Sequence, residues 1–116
     1  MTDTEPITTS REDRDGVAVL RVCGEIDMVT ASSFAKGIDD VLVSDPPSLV
    51  IDLSEVTLLA SAGLRLLVMA NERFGKSSGF TVAARSAAAR VIELTDLDQT
   101  FHMYPTLDEA FEAVRS

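Results

Sequence analysis

Few residues in this chain have chemistry to offer. Ser61 stands in Ala60-Ser61-Ala62-Gly63 at the head of an apolar stretch, and two acids, Glu25 and Asp27, stand in Gly24-Glu25-Ile26-Asp27. A nucleophilic serine needs a neighbouring base, an oxyanion hole and a strained elbow such as G-x-S-x-G. The run here is A-S-A-G, and the single histidine, His102, lies late in the chain beside Phe101 and Met103, where a structural role is expected. Hydrolysis is therefore set aside. Two acids near a serine also suit metal binding or base catalysis, but a Mg²⁺ site calls for clustered carboxylates and a phosphate cradle. Gly63 alone supplies no G-x-G-x-x-G or G-x-x-x-x-G-K-[ST] nucleotide loop. A phosphoacceptor receiver would want an acceptor Asp ending its third strand and a late Lys. Asp52 lies inside its strand and no matching Lys exists. No catalytic residue, cofactor or metal is expected.

The elements that must position these residues come from one domain's worth of sequence, 116 residues of which 46% are hydrophobic. A net charge of −9, from 19 acidic and 10 basic residues, repels phosphate backbones and anionic lipid headgroups, so neither nucleic acid nor membrane is expected as a partner. A basic protein surface stays compatible with that charge, since complementary charge speeds the encounter. No run approaches 18 apolar residues and the start, Met-Thr-Asp-Thr-Glu, is no export signal, which implies a cytoplasmic protein. Cys23 stands alone, which excludes an intrachain disulfide and reads as a small strand residue.

Residues 1–16 are polar and acidic, either a frayed tail or a short edge strand, with 1–6 expected as a flexible leader. Val17 to Cys23 (VAVLRVC) is apolar on nearly every position, as in a strand covered on both faces. Thr30 is placed to N-cap a helix whose stripe is Phe34, Ile38, Val41 and Leu42, stopped by Asp45-Pro46-Pro47. Leu49 to Leu53 reads as a second buried strand, and Ser61 to Phe74 as a central helix apolar around most of its circumference. Gly75 to Gly79 reads as a turn, Phe80 to Ala84 as a third strand, Ser86 to about Leu94 as an Ala-rich helix, and Phe101 to Tyr104 as a brief strand. Thr106 and Glu109 make a capping box for a last helix bearing Leu107, Ala110, Phe111 and Val114. Strands alternating with helices over short loops predict an α/β fold with a mostly parallel four- to five-stranded sheet, and functional loops at the carboxyl ends of the strands, Gly24 to Val29 and Ser54 to Gly63. Phe34, Ile38, Leu64, Leu67, Val68, Val91, Phe111 and Val114 are the expected core.

The order of elements, the G-E-I-D turn and the run LVIDLSEVTLLASAGLRLLV from Leu49 to Val68 resemble the STAS family of anti-sigma factor antagonists over about residues 7–114. Ser61, Gly63 and Leu64 match the family's second motif, and Ala60 departs from it, standing where the family usually has Asp. The resemblance implies that Ser61 is a phosphorylation site, and that Gly24, Glu25, Asp27, Ala60, Ser61, Ala62, Gly63 and Arg65 bind an anti-sigma factor. That partner would be a histidine-kinase-like serine kinase, opposed by a phosphatase. It also leaves open a STAS docking subunit of a transporter or stress-sensing assembly. On physical grounds Ser61 is either a plain helix cap or a phosphate acceptor held by free N–H groups and the helix dipole. Arg65 either pairs with that phosphate or a partner carboxylate, or is solvated. Asp27 either belongs to the partner surface or caps its own turn.

Overall fold

The computed structural model describes residues 7–75 and 79–115. A hairpin opens it. Strands β1 (Ile7–Arg14) and β2 (Val17–Ile26) run antiparallel about Asp15-Gly16, whose φ angles of 49° and 83° are the left-handed pair that a two-residue type I′ turn needs. The acidic N-terminal region is thus an edge strand from Ile7 onward. The leader expected at 1–6 lies outside the described residues, as does most of the turn expected between Gly75 and Gly79.

There follow α1 (Ala31–Leu42), β3 (Ser48–Leu59), α2 (Ser61–Phe74), β4 (Phe80–Ala83), α3 (Ser86–Leu94), a 3-10 turn (Leu97–Gln99), β5 (His102–Tyr104) and α4 (Leu107–Arg115). The sheet order is β1-β2-β3-β4-β5, with β2 to β5 parallel. Crossovers of one hand between successive parallel neighbours put α1, α2 and α3 on the same face. Ala18, Leu20, Val22, Leu49, Ile51, Phe80 and Val82 point to that face, with Phe34, Leu67 and Ile92 from the helices. The alternate residues Val17, Val19, Val50 and Ala83 point the other way and are covered by Ala110, Phe111 and Val114 of α4. Burial on both faces is why VAVLRVC is apolar almost throughout. On α4 the capping box is present in part: Glu109 N–H donates to Thr106 Oγ1 at 3.2 Å, and that hydroxyl donates to the Glu109 carboxylate at 3.0 Å.

Three expectations need correction. β3 does not end at Leu53. It runs on to Leu59, paired with β2 through two register shifts, because Val56 and Leu59 still find buried positions. The two expected loops shrink accordingly, one to Asp27–Thr30 and the other to Ala60 alone. Second, Thr30 does stand at the N-cap position of α1 but makes no side-chain cap; its hydroxyl turns back to donate to the Glu25 carbonyl at 2.7 Å. Third, α2 is covered on one side only, through Gly63, Leu64, Leu67 and Ala70, and Met69 is exposed. Val68 and Val91 consequently sit half-buried at the margin of the core, whereas Phe34, Ile38, Leu64, Leu67, Phe111 and Val114 are buried.

Candidate functional site

Both short motifs end at the same corner of the sheet, where β2 and β3 give way to helices. Gly24 has a φ of 114°, a conformation costly to any other residue, and lies where the β2–β3 register slips. That slip leaves Glu25 exposed and sinks Ile26 completely. Asp27 then turns the chain. Its Oδ1 accepts the N–H groups of Val29 at 2.9 Å and Thr30 at 2.8 Å, and the Thr30 hydroxyl accepts the Asp27 N–H at 2.8 Å. The bond from the Thr30 backbone is the largest cause that holds the Asp27 carboxyl below the ordinary carboxylate range. Asp27 is therefore the cap of its own turn, and the turn lifts Met28 and Val29 into solvent, 84% and 80% exposed.

The second motif is fastened to the first through Ile26. The Ala60 N–H donates to the Ile26 carbonyl at 2.8 Å, so the end of β2 dictates where α2 starts. Ala60 itself is the extended N-cap residue and has no side-chain acceptor to offer. Its carbonyl accepts the N–H groups of Gly63 at 2.9 Å and Leu64 at 3.2 Å. The N–H groups of Ser61 and Ala62 precede any helical acceptor and form the positive end of the helix dipole. Ser61 is exposed as the first helical residue rather than the cap, Ala62 is half-buried, and Arg65 is exposed one turn on. Gly63 meets a packing demand: a Cβ there would lie 2.7 Å from Ile26 Cγ2 and 2.7 Å from Leu59 Cδ1.

Between α1 and α2 lies an open groove of about 560 Å³, with Met28, Ala31 and Ala35 on one wall and Ser61, Ala62 and Arg65 on the other. The structure thus brings Ser61, Arg65 and the Asp27 turn to one surface. Asp27 directs its carboxylate to its own backbone, and His102 is exposed on β5, two strands from β3. Among the described residues no three His, Cys, Asp or Glu side chains cluster as metal ligands, and no helix is long and apolar enough to cross a membrane.

Two features escaped the sequence reading. Met28, in the Asp27–Thr30 loop, lines this groove, and Met69, on α2, lines the depression beside it; both are exposed, and only Met69 carries a signal, an apolar residue on the outward side of a helix. Asp52, an acid in the apolar run LVIDL, is 5% exposed at its side chain and accepts from Arg21 Nε at 3.2 Å, Ser54 N–H at 3.0 Å and Ser54 Oγ at 2.6 Å. It fastens the first β2–β3 register shift.

A mostly parallel sheet with three helices on one face and one on the other, and a serine exposed where β3 meets α2, defines a small α/β domain class whose distinctive surface is one sheet corner. Within that class the chain belongs to the STAS domain family, whose model matches residues 9–110. It is 43% identical over 116 residues to the anti-sigma-F factor antagonist RsfB of Mycobacterium tuberculosis, spanning 99% of this chain and 95% of the relative. A crystal structure of an anti-sigma factor antagonist from Mycobacterium paratuberculosis is 51% identical and superposes with a TM-score of 0.92 over 100% of both chains. The phosphorylated form of the Bacillus cell fate determinant SpoIIAA shares the fold, with a TM-score of 0.64 at 18% identity over 93% of this chain and 100% of that one.

Proposed function

We propose that this protein is an anti-sigma factor antagonist: a non-enzymatic, cytoplasmic binding protein that captures an anti-sigma factor and so frees a sigma factor. The observation that carries the reading is the convergence of the Asp27 turn and the α2 N-terminus on one exposed surface, through the Ile26–Ala60 hydrogen bond, in a chain 43% identical to an anti-sigma-F factor antagonist. Gly24, Glu25, Asp27, Ala60, Ser61, Ala62, Gly63 and Arg65 form or support the surface that meets the partner.

Ser61 is the switch in this proposal. The partner is a histidine-kinase-like serine kinase that places a phosphate on Ser61 Oγ, and a phosphatase removes it. A phosphoserine adds roughly −1.5 to −2 charge at neutral pH. At the first position of α2 the new oxygens face the N–H groups of Ser61 and Ala62, and Arg65 one turn on holds no ion pair among the described residues with which a phosphate would compete. A hydrated dianion in the middle of the contact then ends binding. Ala60 bears on this step in two ways: it contributes no carboxylate to orient the hydroxyl, and none to repel the phosphate.

Ala60 also favours a second reading, a STAS docking subunit of a transporter or stress-sensing complex that uses the same surface without phosphorylation. The test is reconstitution with the anti-sigma factors of the same genome and their sigma factors. An antagonist displaces sigma from at least one of them, and substituting Ser61→Asp abolishes the displacement. A chain that displaces none, but copurifies with a membrane transporter or a large assembly, is the docking subunit.

A further inference from the structure

We propose that the groove between α1 and α2 seats an amphipathic helix of the anti-sigma partner, with an acidic edge running along α2; this rests on the antagonist reading and names what the partner presents. The groove that begins at Ser61 does not stop there. A second depression of about 290 Å³, lined by Ile38, Asp39, Leu42, Met69, Ala70 and Arg73, shares Ala35 and Leu66 with the first. Together they follow the whole length of the α1–α2 seam.

Spacing on α2 gives the seam its chemistry. Ser61, Arg65, Met69 and Arg73 recur every four residues and are all exposed, so they form one rim, while Ala62, Leu66 and Ala70 form the floor beside it. From Ser61 to Arg73 the rise is about 18 Å at roughly 1.5 Å per residue, which matches about three turns of a second helix. The floor is made of small and aliphatic side chains that let another helix approach closely, and Met28 and Met69 supply the adaptable apolar contacts common at helix-binding grooves.

Charge decides which helix. In a chain of net −9, Arg11, Arg14, Arg21, Lys36 and Arg115 each hold a carboxylate within ion-pair distance. Among the described residues, the cations that hold none are Arg65, Arg73, Arg85 and Arg90, all on or beside α2 and α3, and two of these four edge the groove. Asp39 on the α1 wall is not ion-paired to Arg73. Two guanidiniums two turns apart, with exposed Met69 between them, fit a helix carrying carboxylates two turns apart along one edge and apolar residues beside them. A phosphate on Ser61 would then take Arg65 from the partner's carboxylate.

The test immobilises each histidine-kinase-like anti-sigma factor of the same genome and measures the affinity of the unmodified chain and of Arg73→Glu, Met69→Glu, Ser61→Asp and Arg90→Glu, each confirmed folded by circular dichroism. The inference expects Arg73→Glu and Met69→Glu to weaken binding by about tenfold or more, and Arg90→Glu, off the groove, to leave it unchanged. If Arg73→Glu and Met69→Glu bind as the unmodified chain does while Ser61→Asp does not bind, the groove proposal is overturned and the antagonist reading stands. If the unmodified chain binds none of these proteins, both fall.

Discussion

Gly63 lies so close to Ile26 that the 2.7 Å gap from its would-be Cβ to Ile26 Cγ2 closes the corner between β2 and α2. This contact ties the two motifs together and explains why the helix bearing Ser61 begins with so little side-chain volume. Gly63→Ala forces Ile26 out of its rotamer or pushes α2 off the sheet. The expected cost is about 1–3 kcal/mol, set against up to about 1 kcal/mol gained in helix propensity. Urea unfolding measures it. Ile26→Val trims the δ-methyl and leaves Cγ2 in place, so it should not relieve the clash, whereas Ile26→Ala in the Gly63→Ala background should recover part of the loss.

Asp27 gives the turn an acid dependence whose sign follows from its bonds. The Thr30 and Val29 N–H groups stabilise the carboxylate, so its pKa is lower folded than unfolded. That contribution is complete above the unfolded carboxylate range, about pH 4, and is lost as pH falls through that range towards the folded value. Asp27→Asn keeps an acceptor oxygen and removes the charge. The stability difference between the parent chain and Asp27→Asn should therefore be largest at neutral pH and shrink towards pH 3. Denaturation midpoints at pH 7, 5 and 3 check this.

Asp52 is buried and holds Arg21 and Ser54, so truncation strands them. Asp52→Ala leaves the Ser54 N–H and hydroxyl without their acceptor and Arg21 without its ion pair, at a cost of about 1–3 kcal/mol. Because the carboxylate braces the β2–β3 register shift, hydrogen exchange should rise in Val22 to Ile26 and Ser54 to Leu59 more than in α4.

Along α2, neighbouring residues should respond differently to the same truncation. Leu67 is wholly buried and Leu67→Ala is expected to cost about 2–5 kcal/mol, whereas Val68, at the margin, should cost well under half as much. Thermal melting of the two variants separates a one-sided helix from one enclosed on all sides.

Much of this fold is legible in the sequence because burial on both sheet faces writes itself as apolar runs, and because Thr106 and Glu109 announce α4 directly. The boundaries of the site were less legible. Ser54 to Leu59 reads as a connection because the polar pair Ser54-Glu55 and the apolar pair Leu58-Leu59 break the alternation, yet pairing to β2 through two register shifts carries the strand on. A sequence pattern holds no record of a register shift. The Asp27 turn was legible in part: the sequence offers Asp27 as the cap of its own turn, which its bonds bear out, whereas Thr30 has the residue type of an N-cap but its hydroxyl is already engaged by Glu25 and Asp27. For the candidate site, Ser61 and its neighbours stood out through their match to the STAS motif, type and spacing alone being those of a plain helix cap, whereas Met69 and Arg73 gain meaning only when α1 is seen beside them.

The proposed role of Ser61 as the switch of an antagonist surface is tested most directly by intact-mass spectrometry. The protein and Ser61→Ala are each incubated with ATP and the histidine-kinase-like anti-sigma factors of the same genome. One added phosphate is expected on the parent chain with at least one of these kinases, and none on Ser61→Ala. An unmodified mass with every kinase, or a phosphate that persists in Ser61→Ala, would contradict it.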